Sequence, residues 1–176
     1  MHVIWRPGLQ EKIRPTKLLY EIRKSVSKIL DKPFTEHIDH QVFKPDQRIL
    51  AIWAAECAER VLPFFEENYP GDGRPRKAIE VLWDWIDTGV FSMAAIRKAS
   101  LDAHAAAKGK EEKDAAFAAH AAGQAVGTAH VVTHALGAAL YSIRAVVARS
   151  ADVNSASQER DWQLELLLKY AKQARE

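Results

Sequence analysis

A single cysteine, Cys57, stands among the 176 residues. It excludes an intramolecular disulfide and any site that needs two thiolates from one chain. It suits a reducing compartment, and the cytoplasm is the expected location. An excess of one charge is also lacking: 25 Lys and Arg face 23 Asp and Glu, a net of +2. Composition therefore gives no ground for a nucleic-acid partner. Eight glycines and seven prolines are too few for a fibrous or low-complexity chain. No segment alternates apolar and polar residues convincingly enough for a strand, and no dinucleotide or P-loop glycine pattern is present. The opening residues Met1 to Pro7 hold no apolar run of signal-peptide length. One stretch without Asp, Glu, Lys or Arg, Ala115 to Ile143, runs for 29 residues, against the roughly 20 a spanning helix needs. It carries three histidines, Gln124, Thr128, Thr133 and Ser142 among alanines and glycines. A buried helix of a soluble protein is the expectation, with no membrane partner.

What is abundant is alanine. Of 29 alanines, 20 fall between Ala94 and Ala148, where high helix propensity and small side chains favour closely packed helices. Apolar residues at helical spacing predict helices from Pro15 or Thr16 to about Leu30, from Pro45 or Asp46 onward, and from Pro75 to about Thr88. In the last of these, Ile79, Leu82, Trp83 and Ile86 are expected to face inward. Pro63 is expected to kink or end the second helix. Asn68 to Gly73 reads as a loop, Gly89 as a helix stop and Ser92 as a cap. A segment from about Glu111 to Ala148 would run about 57 Å as one helix, so a bend or break near Gly123 or Gly127 is expected. A last helix covers Gln158 to about Ala174. The expected fold is an all-α, single-domain bundle of six to seven helices, with residues 1–44 a helix and connector and 45–176 the main helical domain.

The alanine-rich segment carries a stripe. His120, Gly123, Gly127, His130, His134, Gly137 and Tyr141 follow one another at steps of three and four, so on one helix they share a face. Two readings stand. Either the glycines admit a close neighbour and each histidine finds a hydrogen-bond partner, or His130 and His134 ligate a metal with a third ligand from Glu56, His104 or the connector bearing His37 and His40. Val131 stands where the zinc motif HExxH has its glutamate. Glu56 and Arg60, four apart, can pair on the surface. Cys57 reads as a small core residue. Arg74-Pro75-Arg76-Lys77 is a basic helix start that opposes the helix dipole and hints at an anionic partner. Trp83 and Trp85 point about 200° apart on a helix, so one is available for contact.

The segments Ala51-Ile52-Trp53-Ala54-Ala55-Glu56-Cys57-Ala58-Glu59-Arg60-Val61-Leu62-Pro63 and Arg74-Pro75-Arg76-Lys77-Ala78-Ile79-Glu80 resemble a bacterial family described as putative immunity proteins, the Imm-5-like group. The stretches Ala103 to Ala107, Ala121 to Ala135 and Glu159-Arg160-Asp161-Trp162-Gln163 agree with it. The resemblance covers about Asp46 to Leu168. It implies an all-helical protein that binds and neutralises a cognate toxin protein, with no catalytic residue to carry over. His104, Gln124, His130, His134 and Trp162 match recurrent family positions; Gln124 stands where histidine is also usual.

The expected function is therefore partner binding without catalysis or cofactor. Tyr69, Arg74, Arg76 and Trp85 are the expected contact residues, because exposed aromatics and arginines dominate interface energies. Glu56, His104, Gln124, His130 and His134 form the candidate polar cluster. Two rivals remain at this stage: a metal-dependent helical-bundle enzyme of the DinB type, and a module that uses the Gly-His stripe as a helix–helix seam, including a homodimer.

Overall fold

The computed structural model describes residues 45–150, 152 and 154–173. The helix expected over Pro15 to Leu30, and the connector with His37 and His40, lie outside them. The described residues form six helices and no strand, an all-α multi-helix bundle. They are α1 (Pro45–Asn68), α2 (Arg74–Thr88), α3 (Met93–Ala106), α4 (Lys113–Gly127), α5 (His134–Arg149) and α6 (Ser155–Gln173).

The local signals explain the boundaries. Pro45 opens α1, where its missing N–H costs nothing. Pro63 neither kinks nor ends the helix as expected; α1 runs on to Asn68. Its ring lies on the exposed side, where water can reach the carbonyl that lost its donor. Gly89 ends α2 in the left-handed region (φ 70°) and donates to Trp85 O at 2.9 Å. The Ser92 side chain caps α3 by accepting from the Ala95 N–H.

Helix α4 is the centre of the bundle and packs on α1, α2, α3 and α5. Its alanines 115, 116, 118, 119, 121, 122 and 125 are all buried, with Val126. A helix buried nearly all round needs neighbours on every side, and small side chains let their axes come close. Larger residues fill the remaining core: Trp53, Leu62 and Phe65 from α1, Ile79 and Leu82 from α2, and Ile143 from α5.

As expected, the segment from about Glu111 to Ala148 is not one helix of about 57 Å. It breaks after Gly127, as one of the two expected positions, and α5 folds back along α4. The antiparallel order shows in cross-helix pairs: Gln124 with His134, His120 with Tyr141, and Asp114 with Arg149. The turn is held from a distance. Gln47 Nε2, buried in α1, donates to Thr128 O (3.0 Å) and Ala129 O (2.9 Å). Carbonyls released by the broken helix thereby keep donors inside the core.

Trp85, expected as an exposed contact residue, is only 4% exposed and belongs to the core; Trp83, expected inward, is half-buried and bonds Glu59. The core stripe of α2 is Pro75, Ala78, Ile79, Leu82, Trp85 and Ile86. At about 100° per residue, Trp85 lies nearer the middle of that stripe than Trp83 does.

Candidate functional site

The stripe survives the break, folded on itself. In a continuous helix its residues would run in line. In the hairpin they meet across the α4–α5 seam, and α3 closes over one side. Each glycine makes room for a polar side chain. A Cβ on Gly123 would lie 2.9 Å from the His104 ring, one on Gly127 would lie 2.9 Å from His134 Cγ, and one on Gly137 would lie 2.5 Å from Gln124 Oε1. Ser100 Oγ also donates to Gly123 O at 2.8 Å, so α3 touches α4 backbone where no side chain intervenes. Gly127→Ala should therefore destabilise the fold by about 1–3 kcal/mol, because the ring atom it meets is close to the His134 backbone and cannot swing away. Alanine's gain in helix propensity, about 1 kcal/mol, works against this and will not cancel it. Urea unfolding of the variant checks it; a more stable variant would contradict the packing.

The polar groups pair off. His104 Nδ1 and His120 Nδ1 are 2.8 Å apart, and His134 Nδ1 lies 2.6 Å from Gln124 Oε1. The amide oxygen can only accept, so His134 donates from Nδ1. The rings of His130 and His134 sit 5.1 Å apart, and His120 lies 5.0 Å from Tyr141. All these side chains are half-buried. Burial holds the His104, His120 and His134 imidazoles below their ordinary pKa; His120 adds to the effect on His104, and His104 to that on His134.

That shift gives stability a pH dependence. Unfolded rings take up protons near pH 6.5, while the folded ones resist until lower pH. In that interval the unfolded state binds more protons, so stability rises with pH. The contribution is complete above about pH 6.5 and is lost as pH falls below it. Thermal melts between pH 7.5 and 5.5 should show a falling Tm, and the slope should flatten in H104Q/H120Q.

The expected polar cluster is thus His104, Gln124, His130 and His134 without Glu56. Glu56 accepts from Tyr170 Oη in α6. His120 and Tyr141 complete the cluster; both were on the stripe, which was the signal for them. His130 lies in the 128–133 turn, so the HxxxH pair does not share a helix. Among the described residues no group of three or more His, Cys, Asp or Glu is arranged to hold a metal ion. Among the described residues nothing favours the metal-enzyme rival; the connector with His37 and His40 lies outside them.

Glu56 belongs to a clasp between α1 and α6. Arg60 does not pair with Glu56 as expected. Its Nε donates to Glu159 at 2.9 Å, and its guanidinium lies 4.3 Å from the centre of the Trp162 ring. The side-chain amide of buried Gln163 donates to Ala139 O and Glu159, and the Gln163 backbone carbonyl accepts from Trp53 Nε1 at 2.8 Å. Burial pushes the Cys57 thiol well above its ordinary pKa, and the charges of Glu159 and Glu56 add to this. A thiol kept neutral is no nucleophile.

The expected contact residues Tyr69, Arg74 and Arg76 gather near the turn between α1 and α2. Arg74 pairs with Asp72 (2.6 Å), and Arg76 forks onto Glu66 with two bonds of 2.8 Å. Tyr69 donates to Glu112, which lifts its phenol to about 12, and Lys110 Nζ lies 3.6 Å from its ring centre.

Among the described residues no helix is long and apolar enough to cross a membrane. No curated protein and no solved structure matches the chain. The family model described as Imm-5 like putative immunity protein matches residues 40–170 of the 176, and the chain belongs to that family.

Proposed function

We propose that the protein binds a cognate bacterial toxin in the cytoplasm and neutralises it by covering its working surface, without catalysis. The observation that carries this reading is the family match over residues 40–170. The surface around the α1–α2 turn suits such a role. Tyr69, Arg74 and Arg76 are side chains of the kind that dominate interface energies. Each is already held by Glu112, Asp72 or Glu66, so less side-chain freedom is lost on binding. Trp83 replaces Trp85 as the tryptophan that reaches the surface. A specific contact of this type buries about 1,600 Å² in total.

The test is co-expression with the product of the neighbouring gene. Growth arrest by that product alone, relieved by this protein, with a stoichiometric complex from the two purified chains, supports the reading. Charge reversal in R74E/R76E should then weaken the complex at least tenfold while the fold persists. Arrest that continues, with no complex formed, overturns it.

A further inference from the structure

We infer that the segment from Pro15 to Leu30 docks as an amphipathic helix on the outer face of α5 and α6. The contact lies within one chain and does not depend on the toxin reading.

The receiving face follows from the register of the helices. Cys57 and Phe64 of α1 meet Ser142 and Arg149 of α5 in parallel order. Trp53 and Arg60 of α1 meet Gln163 and Glu159 of α6 in reverse order, so α6 runs back along α5. Gln163 Nε2 on Ala139 O at 3.1 Å sets the two side by side. Helix α1 covers one side of this pair. At about 100° per residue, Leu140 and Val147 of α5 and Leu164 and Leu168 of α6 turn to the other side. The first three are half-buried and Leu168 is 52% exposed. Among the described helices, α5 packs on α1, α4 and α6, and α6 packs on α1 and α5, so none of them covers that side. Single exposed leucines are ordinary, but four apolar side chains along one seam form a face that gains from cover.

Residues 15–30 carry a matching half. Leu18, Leu19, Ile22, Val26, Ile29 and Leu30 recur at helical spacing. A helix of about 16 residues is marginal in water unless its apolar side is covered. The chain also leads to the place. Gln47 holds the start of α1 against Thr128 and Ala129, just before α5 begins. Because α6 runs back along α5, Leu168 lies toward that same end. Positions 31 to 44 can span at most about 50 Å, and α5 is about 24 Å long, so the whole seam is within reach. The tether makes docking unimolecular, with an effective concentration on the order of millimolar. A second copy of the chain has no such advantage.

Charge agrees. Residues 1–44 hold nine Lys and Arg against five Asp and Glu, whereas residues 45–176 hold 16 against 18. On the segment's helix Glu21 and Arg23 stand about 200° apart, one on each flank of the apolar side. Arg144 of α5 and Glu165 of α6 edge the receiving face, and among the described residues neither is in an ion pair. One direction of the docked helix therefore brings opposite charges together at both edges, and the reverse direction brings like charges together. Exposed pairs contribute little energy, so apolar cover drives the docking and the charges select its direction.

The experiment uses the full chain with Lys24→Cys bearing a nitroxide spin label. Lys24 stands about 200° round from Ile22, so the label points to water when the helix is docked. Cys57 is buried and its thiol stays neutral, so the label goes to the new cysteine, which the mass of the product checks. Methyl NMR signals of Leu140, Val147, Leu164 and Leu168 should lose most of their intensity and regain it when the label is reduced. Those of Val90 and Met93, beside the start of α3, should keep theirs. Adding Leu19→Asp and Ile22→Asp should abolish the loss while every described residue stays unchanged. Full intensity at the four positions overturns the inference, as does an equal loss at Val90 and Met93. A loss that survives the two aspartates also overturns it, since the apolar side is then not what docks. So does a loss that passes to an isotope-labelled chain without the spin label, mixed with a spin-labelled chain without isotope, because a second copy then covers the face. None of these outcomes alters the co-expression test of the toxin reading.

Discussion

Replacing Trp53 by alanine should lower the free energy of unfolding by about 3–5 kcal/mol, the range for removing a fully buried aromatic side chain. Trp53 has no exposed surface, and its indole N–H bonds the Gln163 carbonyl of α6. The substitution thus opens a cavity in α1 and loosens the clasp at once. For a chain of this length the melting temperature should fall by about 6–20 °C. Trp53→Phe separates the two effects. It keeps most of the apolar burial and gives up the hydrogen bond, worth about 1 kcal/mol. Urea denaturation followed by circular dichroism reads both. A loss below 1 kcal/mol for the alanine variant would mean that the residue is not in the core.

Gln47→Leu carries the second large effect, about 2–4 kcal/mol of destabilisation. Its amide serves two carbonyls of the α4–α5 turn from a buried position. Leucine has nearly the same volume but no donor, so both carbonyls would stay buried without their partner. The prediction separates packing from hydrogen bonding, since the apolar contact area is little changed. Equilibrium unfolding is the measurement. A stability within 0.5 kcal/mol of wild type, a margin typical of surface changes, would show that water can reach the turn and serves the carbonyls instead.

The same turn explains what the sequence could and could not reveal. Helices α2 and α3 were legible because their ends are written locally, in Pro75, Gly89 and Ser92. The alanine density announced a buried helix, and α4 is one. The length of the segment required a break, and Gly127 was one of the places for it. That the chain would fold straight back was not legible. The three-and-four spacing continues through Thr128 to Thr133 without interruption, and the group that stabilises the turn lies 81 positions away in Gln47. Long-range partners leave no periodic trace.

The candidate site divides in the same way. The histidines were visible as a stripe, and the glycines beside them as unexplained small residues. Only the folded hairpin shows that each glycine makes room for one polar side chain. Glu56 stands with the histidines in the sequence as a candidate third ligand for a metal on His130 and His134. The structure assigns it to the α1–α6 clasp, where two of the segments that carry the family resemblance meet: Trp53 and Arg60 from one, Glu159, Trp162 and Gln163 from the other. The four positions Ile79, Leu82, Trp83 and Ile86 alone centre the apolar face of α2 toward Trp83. Including Pro75 and Ala78 moves its centre toward Trp85.

The clasp has a further consequence for how the molecule breathes. Helix α6 leans chiefly on α1 and α5, whereas α4 is enclosed by four neighbours. Protection of backbone amides follows the depth of such enclosure. In deuterated buffer the amides of α6 should therefore exchange through partial opening, as one detachable unit. Those of α4 should wait for the whole chain to unfold, so that its slowest amides report the global stability directly.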